Sequence, residues 1–494
     1  MPGSPHINRG AINGRAAFAG AAFLVGVGLT FVAERVGAPE ALVRALGGLF
    51  ALPGLALIGL LARSSRVGNF FVADRAAPST YSGMAFAGIA SGLALCLVGP
   101  RGAQSPLPLS GVALGLALGA LVFGPAVRKA NATAAADFFA RRFGGGPLRW
   151  LLALVLLGVG ALLGIAGFEA ALEALATQAI VSRATAIAIV ATTLALIVAP
   201  GGLAGVLWAA ATCAGGIVLT LALPILVQAL AAPGDPLAWI GAGVGSAGAL
   251  GGIAPPVLIL ASALGVGALA PWAGVGAATP NATQALRAGA SGILLVAVIA
   301  GGAALDMGLL AGALGPAASA TRACALALAG LALAAAGLFS ATQCLAVSGT
   351  LRIDVPRAPA SQRLARARGA ALILVALCGA ALHARAVDPA AAILGAAVLS
   401  LAFVAPIFGL TFSPRATAIH ALASLLVSLG ALIVLTAPDP LSLPAANWLA
   451  DGLVASILGF AAGWGASLFA RPRPVPATNR SRDPFFEPPA GPLV

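Results

Sequence analysis

Apolar runs of about 18 residues or more recur along this chain from one end to the other, and nothing else in it constrains the fold as strongly. Crossing roughly 30 Å of hydrocarbon at about 1.5 Å of rise per residue takes a helix of about 20 residues. The runs are continuous rather than alternating, which excludes the short strands of a transmembrane barrel. Of the 494 residues, 60% are hydrophobic and 8% charged, and mean hydropathy is +1.03. A water-soluble core could not hide that much apolar surface, so the solvent is the lipid bilayer. No length remains for a separate soluble domain. The expectation is an all-α polytopic membrane protein with fourteen transmembrane spans, near 16–35, 43–62, 81–99, 108–127, 149–171, 183–199, 204–231, 254–271, 286–311, 321–349, 365–386, 388–411, 416–437 and 446–470.

A net charge of +13 would point to nucleic acid in a soluble protein, but here it follows topology. Of 27 Lys and Arg, all but Arg35, Arg44, Arg101, Arg183, Arg322 and Arg385 fall on the face shared by the termini and the even-numbered loops. Basic residues mark the cytoplasmic side, so both termini are expected in the cytoplasm of a bacterial inner membrane, with no nucleic-acid partner. The first span lacks a convincing cleavage site after Val32-Ala33-Glu34-Arg35 and is read as a retained helix. Five cysteines, Cys96, Cys213, Cys324, Cys344 and Cys378, show no paired spacing, which predicts neither a disulfide framework nor a metal cluster. The Asn-Ala-Thr triplets at Asn131 and Asn281 fall on the expected cytoplasmic face and are chance matches.

Residues 1–14 and the Pro- and Arg-rich tail 471–494 have the composition of disordered cytoplasmic ends, leaving 15–470 as the transmembrane domain. Within it, Gly83, Gly88 and Gly92 punctuate the third span, and Pro255-Pro256 and Pro271-Trp272 bracket the eighth. Interrupted helices leave backbone groups that neighbours, water or an ion must satisfy. Read as broken helices, these two spans open two five-helix sets, about 81–231 and 254–411, of which the second is inverted because the repeat is odd. Discontinuous helices meeting near the midplane would then make a substrate site. For any single Gly, close helix packing is the more economical reading.

The local sequence resembles the sodium:solute symporter family, particularly its cation/acetate symporter branch. Asn69-Phe70-Phe71-Val72-Ala73-Asp74-Arg75-Ala76-Ala77-Pro78 with Gly83-Met84-Ala85-Phe86-Ala87-Gly88 resembles the cytoplasmic approach to its first core helix. Ala136-Asp137-Phe138-Phe139-Ala140-Arg141-Arg142-Phe143-Gly144 is similar to the loop between its second and third core helices. Pro200-Gly201-Gly202-Leu203 with Trp208 resembles the opening of the fifth, and Gln343-Cys344-Leu345-Ala346-Val347-Ser348-Gly349 with Asp354 the eighth and its exit. The resemblance implies a leucine-transporter-like fold with an inverted five-plus-five repeat, in agreement with the topology.

It also implies a sodium site made from carbonyls of Ala87 and Ala90, carbonyls of Leu345 and Gly349, and the Ser348 hydroxyl. Here the chain departs from the family: Ile89 and Gly349 stand where an acid and a hydroxyl are often found, and Gly167, Ala210 and Gly276 replace Gln, Gln and Arg. A weak sodium site, or none, is expected, with Na⁺ or H⁺ as the coupling ion. Tyr81, Gly83, Gly88, Trp272 and Gln343 are the substrate-pocket candidates. Glu169, Glu173 and Asp306 are acids at membrane depth, read either as capping groups or as a cation vestibule or proton relay. Gly144-Gly145-Gly146 lacks the Lys of a nucleotide loop, and no catalytic triad or carboxylate pair is found, so neither an enzyme nor an ATP-driven pump is expected. The functional reading is a secondary transporter of a small organic solute, for instance a monocarboxylate such as acetate. The alternative is a non-coupled descendant serving as a sensor or partner subunit; a small membrane partner protein would favour acetate-like transport, a histidine kinase sensing.

Overall fold

The computed structural model describes residues 9–39, 42–43, 46–47, 50–98, 107–144, 146–178, 182–223, 256–311, 319–347, 360–436 and 445–469. Every regular element among them is helical. In lipid a helix satisfies its own backbone, which is why apolar sequence of this length resolves into helices and nothing else. Eleven of the described helices are long and apolar enough to cross a membrane, and a bent pair passes the same test as one broken span.

Helix α1 spans Arg9–Arg35. A π turn at Phe50–Gly54 runs into Leu55–Leu61 to form α2, and the short α3 is Val67–Val72. Three left-handed residues follow, Ala73, Asp74 and Arg75, with φ of 50°, 51° and 52°. Helix α4 is Ser79–Val98; α5 runs from Leu109 to Lys129 with a π turn at Gly119–Phe123; α6 is Ala135–Phe143; α7 is Gly146–Gln178.

The run Arg183–Ile217, extended by a π turn at Val218–Ala222, is α8, and it reverses direction inside. Gly202 has φ 58° and ψ −143°, a conformation open only to glycine. A Cβ placed on Gly205 would lie 2.7 Å from the Ile197 carbonyl, whereas eight residues of straight helix span about 12 Å. The expected turn at Pro200-Gly201-Gly202-Leu203 is therefore a hairpin between two arms.

Helices α9 (Pro256–Gly267) and α10 (Ala270–Ala277) meet at an angle of 46°. Beyond them lie α11 (Ala282–Ala311), α12 (Ser319–Val347), α13 (Ala360–Ala384), α14 (Pro389 to Leu410, with a π turn at Ser400–Val404), α15 (Ala418–Thr436) and α16 (Ala445–Leu468). Each expected span overlaps a described helix or part of one; residues 44, 45, 48 and 49 of the second span and 224–231 of the seventh lie outside the described residues.

Two helices organise the interior. Helix α4 carries three glycines, each facing the backbone of a different helix: Gly83 meets Ala288 of α11 on one face, while Gly88 and Gly92, one turn apart on the other, meet Ala210 of α8 and Ala329 of α12. Helix α12 in turn lies antiparallel on α7 through paired glycines, Gly160 and Gly167 of α7 against Gly337 and Gly330 of α12. Lipid gives no hydrophobic drive for helix association, so small residues that let backbones approach supply the dispersion contact instead. This corrects the expectation for the third span: α4 is continuous through Ala87–Ile89 because its glycines are consumed in packing rather than in unwinding.

Candidate functional site

The break between α9 and α10 is the clearest irregularity at membrane depth. Pro271 has no N–H to give, and the amides of Leu269 and Trp272 reach only three residues back, to Val266 and Leu269. The Val266 carbonyl so exposed also accepts the indole N–H of Trp272 at 2.7 Å. Trp272 is fully buried, its ring against Gly119 in the π turn of α5 and 4.9 Å from the Phe86 ring of α4. It braces the bend, and its polar atom is already used.

Toward one end of the bundle the site closes on backbone. Gln343 of α12, buried, donates from Nε2 to the carbonyls of Phe71 (2.9 Å) and Thr133 (3.2 Å), while its Oε1 faces Gly274 of α10. Four elements therefore converge on one side-chain amide. Below it, Arg75 and Arg128 both donate to Oδ1 of Asn131, at 3.0 and 2.6 Å. Arg128 also donates to the carbonyls of Thr279 (2.6 Å) and Pro280, just past α10. Asn131 is left-handed, φ 53°, a conformation Asn tolerates better than most residues.

The Asp137 motif is local architecture. Its carboxylate accepts the Thr133 amide at 2.9 Å and pairs with Arg141 at 2.9 Å, while Gly144, φ 74°, closes α6. Arg142 donates to the carbonyls of Thr411 (3.1 Å) and Ser413 (2.6 Å), and burial lowers its pKa from the ordinary guanidinium value. Ser64 binds the carbonyls at Pro200 and Gly201. The even-numbered loops of the sequence reading, at 62–80, 128–149, 200–203, 278–285 and 411–417, are thus linked to one another in one network that runs through 62–80 and 128–149.

The remaining candidates are dispersed. Tyr81, half-buried, packs against Trp208 with ring centres 4.2 Å apart and the ring planes tilted by 57°. Gly83 and Gly88 serve helix packing, and a Cβ on Gly83 would lie 2.8 Å from the Ala288 carbonyl. Ala87 and Ala90 are buried in the unbroken α4. Gly92, two residues beyond Ala90, abuts Leu333, and Leu345 lies about 18 Å farther along α12 from that point. The structure does not bring Leu345 level with Ala87 and Ala90: the two helices run antiparallel, so the α12 residues at that level are near Leu333–Gly337, which carry no hydroxyl. Ser348, Gly349 and Asp354 lie outside the described residues, as does the side chain of Asp306 on α11.

At the opposite end, Glu169 of α7 is 1% exposed and accepts from one guanidinium nitrogen of Arg183 on both oxygens, 2.8 Å each. That nitrogen also reaches the Leu382 carbonyl at 3.3 Å, tying α7, α8 and α13 together. Sequence reasoning found the acid and missed its partner, fourteen residues on across a loop. Glu173, one turn after Glu169, is half-buried. All five cysteines are free thiols, and among the described residues no group of three His, Cys, Asp or Glu stands together as a metal site.

Residues 62–235 match the sodium:solute symporter family. The match begins before α3 and runs past α8, so it takes in the left-handed segment, α4 and the Gly202 reversal. A solved Na⁺-coupled sialic acid symporter, in a substrate-bound outward-open state, is 16% identical with a TM-score of 0.69, over 87% of this chain and 98% of that one. At that identity the likeness establishes the fold. A manganese transporter from Eremococcus coleocola (15% identity, TM-score 0.43, 83% and 97% covered) and the nucleobase-cation-symport-1 transporter Mhp1 (15%, 0.41, 87% and 95%) also align, too loosely to carry an argument. No curated protein matches the chain. The chain is a multi-pass α-helical membrane protein whose matched region is that of a symporter family.

Proposed function

We propose that this chain is a secondary transporter that moves a small organic solute, a monocarboxylate such as acetate being the first candidate, across a bacterial inner membrane. The observation that carries the reading is the family match over residues 62–235, which falls on the segment holding α4 and the Gly202 hairpin. In this reading the domain is 15–470, with core repeats at about 81–231 and 254–411, fourteen crossings and both termini cytoplasmic. Two features support the inverted repeat: its third members, α7 and α12, pack antiparallel through glycines, and its fifth members, the second arm of α8 and α14, each carry a π turn. The solute would bind beside the α9–α10 bend, where the N-terminal end of α10 offers a positive partial charge to an anion.

Coupling is the weaker part. An unbroken α4 spends the Ala87 and Ala90 carbonyls on its own ladder, and the α12 residues at their level offer no hydroxyl. That observation favours a second reading, a non-coupled or transport-inactive descendant that serves as a membrane sensor or partner subunit. Uptake of labelled acetate, pyruvate and proline into proteoliposomes separates these outcomes. Uptake driven by a proton gradient and indifferent to sodium supports the first reading with H⁺ coupling. Saturable sodium stimulation would refute the loss of coupling, and no uptake of any solute under either gradient would sink the transporter reading.

A further inference from the structure

We propose that the cleft between α1 and α2 holds one anionic phospholipid, its acyl chain in the cleft and its phosphate against Arg15. The two helices touch where Phe23 lies over Gly54: a Cβ on Gly54 would come within 2.6 Å of that ring. From there toward Gly14 and Leu61 they part, leaving a cavity of about 580 Å³ walled by Arg15, Phe18, Ala19, Ala22, Leu57 and Leu61. Apart from Arg15, every side chain of the wall is apolar. Phe18 is 78% and Leu57 52% exposed, so the cleft opens outward to the space that lipid tails fill. An apolar channel of this size with one cation at its end suits an acyl chain and an anionic headgroup better than any polar solute.

Charge complementarity supplies the second half of the argument. Arg15 and the exposed Arg63, two residues past Leu61 at the same end of the cleft, have no acidic partner among the described residues. Arg368, also at this end, donates to the Ser64 carbonyl and brings no negative charge. Basic residues collect on the cytoplasmic face of any membrane protein, but topology alone does not place one within the wall of a lipid-facing cleft. Anionic lipid is the counter-charge always present at that depth. The leaflet rests on the proposed orientation with cytoplasmic termini; the site itself does not.

The test is retention of dioleoyl-phosphatidylglycerol by the full-length protein, taken from nanodiscs of equal phosphatidylglycerol and phosphatidylcholine and read by native mass spectrometry. The wild-type chain retains one phosphatidylglycerol in preference to phosphatidylcholine. Arg15→Gln weakens that retention about fivefold, Arg15→Gln with Arg63→Gln removes the preference, and Arg15→Lys restores most of it. Ala22→Trp, which fills the cleft and keeps both cations, also removes it. Glycerol 1-phosphate does not compete, because the chain as well as the phosphate is recognised. Variants are compared only where they elute as the wild-type species, and transport is measured separately, so failure here leaves the transporter reading intact. Retention unchanged by Arg15→Gln and Ala22→Trp, as when residues 1–8 fill the cleft, overturns the proposal, and so does displacement by glycerol 1-phosphate.

Discussion

One guanidinium nitrogen of Arg183 sits 2.8 Å from each carboxylate oxygen of Glu169, and the two partners differ sharply in exposure: the side chain of Arg183 is 44% exposed and that of Glu169 2%. Their removal should therefore cost unequal amounts. Arg183→Ala leaves a buried carboxylate without its partner, at a cost of about 3 kcal/mol, while in Glu169→Gln the arginine can turn to water, at about 1 kcal/mol. Thermal unfolding of the two variants in one detergent measures the difference; equal losses would mean that the pair does not hold α7, α8 and α13 together.

Gln343 offers a sharper test at the other end of the bundle. Gln343→Ala strips partners from the Phe71 and Thr133 carbonyls, an expected loss of about 2 kcal/mol. Because those bonds shut one end of the site, a cysteine placed at Thr133 should react faster with a membrane-impermeant maleimide in the Gln343→Ala background. An unchanged rate would show that the amide is structural glue and not part of a closure.

Glycine substitutions should sort by what faces them. Gly167→Ala pushes a methyl into the backbone of Gly330 and Ala334, and Gly88→Ala does the same at Ala210, each costing about 1–3 kcal/mol or the fold itself. Gly301, with nothing within 4 Å, should accept alanine without loss. The yield of monodisperse protein after detergent extraction reads the order directly; a Gly301→Ala protein that fares as badly as Gly167→Ala would remove the packing argument.

Trp272→Phe keeps a ring against Gly119 and Phe86 but leaves the Val266 carbonyl without its indole donor. The expected penalty is about 1–3 kcal/mol, felt as lower thermal stability with solute affinity nearly unchanged. A large loss of solute binding with stability intact would return Trp272 to the pocket wall.

That the chain is a succession of apolar, membrane-length helices was readable from the sequence because lipid enforces a length and a continuity that composition reports directly. The Gly202 reversal and the α9–α10 break were readable too, each announced by Gly or Pro in an apolar run. Glycine in α4 misled, since the same residue that permits unwinding also permits contact, and only the neighbours Ala288, Ala210 and Ala329 decide between them. The candidate site was less legible. The Asn131 clamp and the Gln343 junction are made mostly to backbone carbonyls, which leave no residue-type signature. The α12 register depends on an antiparallel contact that a motif read along one chain cannot locate.

Because α4 is held between α11 on one face and α8 with α12 on the other at the level of single backbone atoms, it cannot tilt away from α8 or α11 without opening voids. In the proposed transport cycle, α4 would then move as a block with the helices it touches. The compliant joint is Ala268–Leu269, where the hydrogen-bond ladder is already interrupted and a side-chain indole stands in for it. Such a molecule would have its stiffness distributed unequally between its two halves: one pivot, carried by α9–α10, turning against a rigid post. A solute seated at that pivot would feel the swing of α10 alone, so the order in which the two sides open would be set by whether Gln343 still grips the Phe71 and Thr133 carbonyls.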